Sequence, residues 1–206
     1  MTPRRRIIVI GGSAAGPKAA AKARRIDNNA QVVILQKDPD LSMASCGYPY
    51  YVGGYFDDRN MLLSTTTGVT RNPLFYLNAK DIEAKVNTEV TSIDPKKHSV
   101  SYKNIATGET GSLVYDKLVI ATGSVPSMPP VPGTDLQGIT TLQSMKDADF
   151  LRKVRDEGKI KKAVVIGGGL IGICSPFWTG SWQNLWKTMS AARARTSSPR
   201  TASQPF

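Results

Sequence analysis

Arg6-Ile-Ile-Val-Ile10 is a short, mostly β-branched run that stops at Gly11-Gly12, a pattern that predicts a buried strand turning sharply at its end. Ala14 to Ile26 follows, rich in alanine, lysine and arginine, and its propensity predicts a helix. Gln31-Val-Val-Ile-Leu-Gln36 predicts a second strand, and the β-α-β unit so formed requires a parallel pair and implies a doubly wound sheet. Farther on, Thr88 to Asp94, Ser99 to Lys103 and Ser112 to Tyr115 are short strand-like segments, with turn residues Asn104 and Thr107-Gly108 between the last two. They predict a small antiparallel meander inserted into the parallel fold. Leu118-Val-Ile-Ala121 is a further strand that stops at Thr122-Gly123, and the Pro-rich stretch Val125 to Gly133 marks a domain boundary. After it, Lys146 to Glu157 predicts a helix and Lys162 to Ile166 another strand, which runs into Gly167-Gly-Gly-Leu-Ile-Gly172.

Two of these strand ends repeat. Arg6 to Gly16 and Ala163 to Gly172 read as two copies of one strand-turn-helix entry. In a G-x-G-x-x-G turn the first glycine allows the bend, the second admits a pyrophosphate to the backbone, and the third lets helix approach strand. The helix start then offers amide donors and a favourable dipole to phosphates. Gly167, Gly169 and Gly172 match fully, whereas the first copy has Gly11 and Gly16 with Ser13 in the middle place. A carboxylate commonly ends the second strand of such units and binds an adenosine ribose. Gln36 stands there, followed by Lys37 and Asp38; its amide is still able to exchange hydrogen bonds with hydroxyls, and a solvated strand end is the plainer alternative. Two copies, each after a strand, predict a dinucleotide-binding α/β protein with a Rossmann-like parallel sheet and an inserted antiparallel meander.

Composition narrows the function classes. The chain has 206 residues, 40% of them hydrophobic, and no apolar run nears the roughly 20 residues that span a bilayer. The basic start resembles a secretion signal, but Gly11-Gly12 and Lys18 interrupt the apolar core too early. The two cysteines, Cys46 and Cys174, make neither a disulfide framework nor a metal cluster, and with a single histidine no metal site is expected. A reducing cytoplasm is the expected location. His98, in the polar stretch Asp94 to Ser99, is expected on the surface. Of the net charge of +11, Lys187, Arg193, Arg195 and Arg200 contribute four units with no acidic residue after Ile173. The rest suits phosphate-bearing cofactors and does not indicate nucleic acid.

Cys46 lies in Leu41-Ser-Met-Ala-Ser-Cys-Gly-Tyr-Pro-Tyr-Tyr-Val-Gly-Gly54. With the Gly11/Gly16 entry, Ser42-x-x-x-Cys46-Gly and Pro49-Tyr50-Tyr51, Asp116 to Gly123, and the second glycine motif, the chain from about residue 5 to 173 resembles a known family. It is the single-cysteine branch of the pyridine nucleotide-disulfide oxidoreductases: coenzyme A-disulfide reductases with the related NADH oxidases and NADH peroxidases. The resemblance implies an FAD-binding domain over 1–123, with FAD against Gly11, Gly12, Ser13, Ala14, Ala15, Gly16, Gln36, Lys37, Ser42, Val90, Ala121, Thr122 and Gly123. It implies the start of an NAD(P)H-binding domain over 124–173, with NAD(P)H on Gly167, Gly169 and Gly172. Cys46 is then the redox sulfur, cycling between thiolate and a mixed disulfide or sulfenate; its plainer alternative is a buried small hydrophobe. The absence of a second cysteine at short spacing implies an external thiol or disulfide partner, coenzyme A first, and the full-length family is homodimeric. Oxygen- and peroxide-reducing relatives typically carry a histidine in the first glycine loop, where this chain has Ser13, Ala14 and Ala15, so disulfide or persulfide reduction is favoured. Tyr48, Tyr50 and Tyr51 either pack near the sulfur or fill the core.

Beyond Ile173 the resemblance stops. Residues 174–206 form a divergent basic segment expected to be poorly ordered, with residues 187–206 lacking a packed core position and a shifted reading frame or truncated gene as the favoured account. Trp178, Trp182 and Trp186 have helical spacing, and a membrane-surface or partner-binding stripe is the alternative. An NADH oxidase or peroxidase, or a non-catalytic nucleotide-binding remnant, are the other readings of the whole chain; a nucleic-acid binder is the weakest.

Overall fold

The computed structural model describes residues 4–158 and 163–166. Strand β1 (Arg6–Ile10), helix α1 (Ala15–Ile26) and strand β2 (Gln31–Leu35) form the expected β-α-β unit, and β1 and β2 pair in parallel from Arg6 with Gln31 to Ile10 with Leu35. On the other side of β1 lies β7 (Lys117–Ile120), also parallel, and beyond β2 lies β3 (Ile82–Lys85), giving the order β3-β2-β1-β7. A second sheet, antiparallel, is built from β4 (Thr88–Asp94), β5 (Ser99–Asn104) and β6 (Thr110–Val114) in that order. This is the parallel sheet with an inserted meander that the sequence predicts.

The apolar runs of β1 and β2 lack polar alternation because both faces of the sheet are covered, and successive side chains point to opposite faces. Val9, Val32, Ile34 and Ile82 pack with Ala20 of α1 and Tyr76 of α3 (Pro73–Lys80). Ile8, Ile10, Val33 and Leu35 point the other way and meet Val100 of the meander, with Val90, Leu113 and Tyr115 at the margin. Ile8, Val9 and Ile34 are fully inaccessible, and each such side chain contributes roughly 1.5–3 kcal/mol by its burial.

A third cluster stands apart. Here α2 (Tyr48–Gly53) packs against α4 (Met145–Asp156), burying Met43, Tyr48, Tyr51, Val52, Leu62, Leu63, Met145 and Ala148. Helix α4 begins one residue earlier than the periodicity predicts. A reciprocal capping box fixes that start: Ser144 Oγ accepts from the Asp147 amide, and the Asp147 carboxylate accepts from the Ser144 amide. The strand expected at 162–166 does not form over its described part. Ala163–Ile166 carry no strand structure, and Val164 and Ile166 are 84% and 83% exposed. A strand exists only through its ladder, and none of the described strands lies beside this segment. Gly167, Gly169, Gly172 and residues 174–206 lie outside the described residues.

Candidate functional site

The strand order reverses between β1 and β7, and ligands of open α/β sheets bind outside the carboxyl ends of the strands at such a switch point. Two predicted segments meet there. The Ala121 amide donates to the Ile10 carbonyl at 2.8 Å, which sets the Ala121-Thr122-Gly123 turn beside the glycine loop. Gly11 has φ +102°, and a Cβ on it would lie 2.2 Å from the Ala121 carbonyl oxygen, so this contact admits only glycine. Gly12 and Gly16 are buried, while Ser13, Ala14 and Ala15 between them are exposed where α1 begins. The N-cap residue Ala14 supplies no side-chain cap, and the first turn of α1 holds no acidic residue. The helix start therefore presents its amides and the positive end of its dipole at the switch point.

Gln36 is not a solvated strand end. It is buried at 7% exposure; Oε1 accepts from the Gly12 amide at 2.7 Å, and Nε2 donates to the Asp40 carbonyl at 3.2 Å and to Asp38 Oδ2 at 3.4 Å. The amide thus ties the glycine loop to the segment after β2. The exposed ammonium of Lys37 pairs with Glu89 of β4 at 2.8 Å, and this hydrogen bond, with the attraction of the same carboxylate, raises its pKa. Val90, half-buried in β4, packs on the meander side of the parallel sheet, next to a register shift between Val90 and Ser92.

The same loop anchors the cysteine. The Ser42 amide donates to the Gly12 carbonyl at 2.7 Å, with Ser42 at φ +58°, and the Ala44 amide donates to the Leu62 carbonyl at 3.0 Å. The chain then makes a 3-10 turn, Ser45–Gly47, which leaves Cys46 exposed as a free thiol, and α2 starts at Tyr48. The reading of Cys46 as a buried hydrophobe is therefore set aside. Of the tyrosines after it, Tyr48 and Tyr51 are core residues. Burial, with the nearby Asp40 and Asp38 carboxylates, pushes the Tyr48 phenol up to about 12. Tyr51 donates from its hydroxyl to Asp149 at 3.2 Å, whereas Tyr50 is exposed and packs edge-on to Tyr55. His98 is exposed, as expected, with its ring stacked on Tyr115.

Alongside this segment runs a groove of about 980 Å³ between α1 and α3, floored in part by Ser42, Met43 and Ala44. Its edge includes Ser13, Ala14 and Ser42, which the sequence reading assigned to FAD, but its basic side chains were assigned no role. Its lining carries Lys18, Arg24, Arg25, Arg71 and Lys80 against a single carboxylate, Asp81, which Arg24 engages. The spacing of Lys18, Ala21, Arg24 and Arg25 along α1 was the available signal, because these positions share one helical face. No group of metal-ligating side chains occurs among the described residues, and no helix among them is long and apolar enough to cross a membrane.

Comparison with known proteins identifies the family. A family model described as pyridine nucleotide-disulphide oxidoreductase matches residues 5–174. The coenzyme A disulfide reductase of Staphylococcus haemolyticus is 35% identical over 169 residues, and an NADH oxidase of Enterococcus faecalis is 32% identical over 176. Each alignment takes in 82% of this chain, which spans 36% of the length of either relative. Among solved structures, a NAD-dependent persulfide reductase from A. fulgidus superposes with a TM-score of 0.78 at 39% identity, over 82% of this chain and 31% of that one. Reduced Bacillus anthracis CoADR-RHD does so with a TM-score of 0.76 at 32% identity, over 83% and 30%.

Proposed function

From a chain that belongs to the pyridine nucleotide-disulphide oxidoreductase family, we propose a part in FAD-dependent reduction of coenzyme A disulfide, or a related disulfide or persulfide, at the expense of NAD(P)H. Cys46 is its redox sulfur. The observation that carries this reading is the Ser42–Gly12 backbone hydrogen bond, which fastens the exposed cysteine's segment to the glycine turn at the switch point. FAD fits that turn: the uncapped start of α1, with Ser13 to Ala15 exposed, suits its pyrophosphate, and Ala121 to Gly123 border the same crevice. Bound there, FAD would supply the electron pair that returns Cys46 to the thiolate after each turnover.

The chain's own residues account for the exchange half of the reaction. The Cys46 thiolate attacks one sulfur of coenzyme A disulfide; the bond between the two coenzyme sulfurs breaks as the Cys46–sulfur bond forms, and one coenzyme leaves as a thiolate that takes a proton from solvent. The cationic groove beside Ser42 to Ala44 suits the phosphates of that substrate. Ser13, Ala14 and Ala15 offer no imidazole in the glycine loop, which supports disulfide over peroxide as the oxidant. An exposed thiol with this role also fits a reducing compartment.

Intact-protein mass spectrometry after incubation with coenzyme A disulfide tests the reading. One coenzyme should be added at Cys46 with release of one equivalent of free thiol, and Cys46→Ser should form no adduct. An adduct mapped to Cys174, or formed at the parental rate in Cys46→Ser, would remove Cys46 from its assigned role.

A further inference from the structure

We infer that Arg152 and Arg155 of α4 are positioning residues for Cys46, holding the far end of the short helix that the cysteine turn leads into; this rests on the reading of Cys46 as the redox sulfur. Helix α2 has six residues, and the last four carbonyls of any helix have no partner inside it. Two of these carbonyls are met just past the helix, Tyr50 by the Tyr55 amide at 3.0 Å and Tyr51 by the Gly54 amide at 3.1 Å, and α4 adds side-chain donors to this end. The Tyr51 carbonyl accepts from Arg152 Nη1 at 2.7 Å, the Val52 carbonyl from Arg155 Nη1 at 2.7 Å, and the Phe56 carbonyl, just past the helix, from Arg152 Nη1 at 3.0 Å. Gly54, with φ +82°, leaves room for this: a Cβ there would lie 2.3 Å from Arg155 Nη1.

The two arginines are themselves held. The Arg152 side chain is only 13% exposed, sits 5.3 Å from the Tyr51 ring centroid, bonds Asp156 through Nε at 2.8 Å and also pairs with Asp57. Arg155 bonds Asp156 at 2.6 Å. Besides the Ala44–Leu62 backbone bond, Cys46 thus lies between two anchors from other parts of the fold. One is the glycine turn, through Ser42; the other is α4, which the chain reaches only after the Pro-rich stretch. A shift of α4 is transmitted through the Tyr51 and Val52 carbonyls to the turn bearing the sulfur.

Exchange kinetics in a Cys174→Ser background, where Cys46 is the remaining thiol, test the inference. The rate of mixed-disulfide formation with coenzyme A disulfide is compared with alkylation by iodoacetamide, a small neutral reagent that needs no alignment. Arg152→Ala/Arg155→Ala should slow the exchange by about tenfold or more, since misplacement of a reacting atom is costly, and change alkylation by less than about threefold. If the double variant does not fold, Arg155→Ala, which leaves the Arg152 contacts in place, is read the same way. Exchange at the parental rate, or an equal fall in both reactions, overturns the inference alone. A parent that does not exchange at all overturns the reading of Cys46 and the inference with it.

Discussion

At the level of single residues, the site is organised by backbone groups that side chains hold in place. Gln36 is the clearest case. A carboxylate at this position would accept hydrogen bonds only, whereas the amide both accepts from Gly12 and donates to Asp38 and the Asp40 carbonyl. Removing it strands a buried donor. Gln36→Leu is expected to destabilise the protein by about 1–3 kcal/mol, the usual penalty for leaving such a group unsatisfied, seen as a lower urea midpoint. Gln36→Glu keeps the acceptor for Gly12 but loses both donated bonds and sets a carboxylate against Asp38, so its midpoint should fall as well. A midpoint unchanged in Gln36→Leu would show that the Gly12 amide finds another acceptor. The position of Gln36 was legible in the sequence; its inward engagement was not, because the Asp40 carbonyl that orients it is placed by the fold.

Elements divide by where their stability originates. The bounds of β1 and β4 follow the sequence reading because β-branched runs and flanking turn residues act locally. Helix α3 was legible in principle: Pro73 opens it, and Asn72 caps it by accepting from the Phe75 amide at 2.9 Å. Strand β3, Ile82-Glu-Ala-Lys85, has weak strand propensity and exists through its ladder with β2, and α2 holds a proline and three tyrosines and draws donors for its Tyr51 and Val52 carbonyls from α4. Neither is visible in a local window. Helix α4 carries its own start signal and a titratable one. Burial alone would raise the Asp147 pKa, but hydrogen bonds from the Ser144 and Gln143 amides and the Ser144 and Thr141 hydroxyls outweigh it, and the value is lowered from 3.8. A carboxylate whose folded pKa is depressed adds stability that is complete above its unfolded value and is lost as pH falls through the folded one. Acidification below about pH 4 should therefore weaken α4, whereas Asp147→Asn should be less stable at neutral pH by about 0.5–2 kcal/mol and lose that part of the acid dependence. Urea midpoints across pH give the comparison, and parallel pH profiles for parent and variant would refute it.

At the largest scale, three layers and a side cluster among the described residues imply unequal local stability. The parallel sheet is covered by α1 and α3 on one face and by the meander on the other, so β1 and β2 contribute to two cores at once. The cluster between α2 and α4 shares no buried residue with either. A segment with a separate core opens with a free energy set by that core, below the global value to which doubly covered strands are tied. Because α4 supplies side-chain donors for the Tyr51 and Val52 carbonyls and shares one apolar cluster with α2, neither helix retains its environment when the other leaves. Native-state amide exchange should accordingly give α2 and α4 one common opening free energy, lower than that of β1 and β2. Asp147→Asn should reduce the value for both helices by the same amount and leave the two strands unchanged, even though Asp147 is remote in sequence from α2. Different opening energies for α2 and α4, or a change confined to α4, would mean that the helices move independently and that α4 does not hold the cysteine turn.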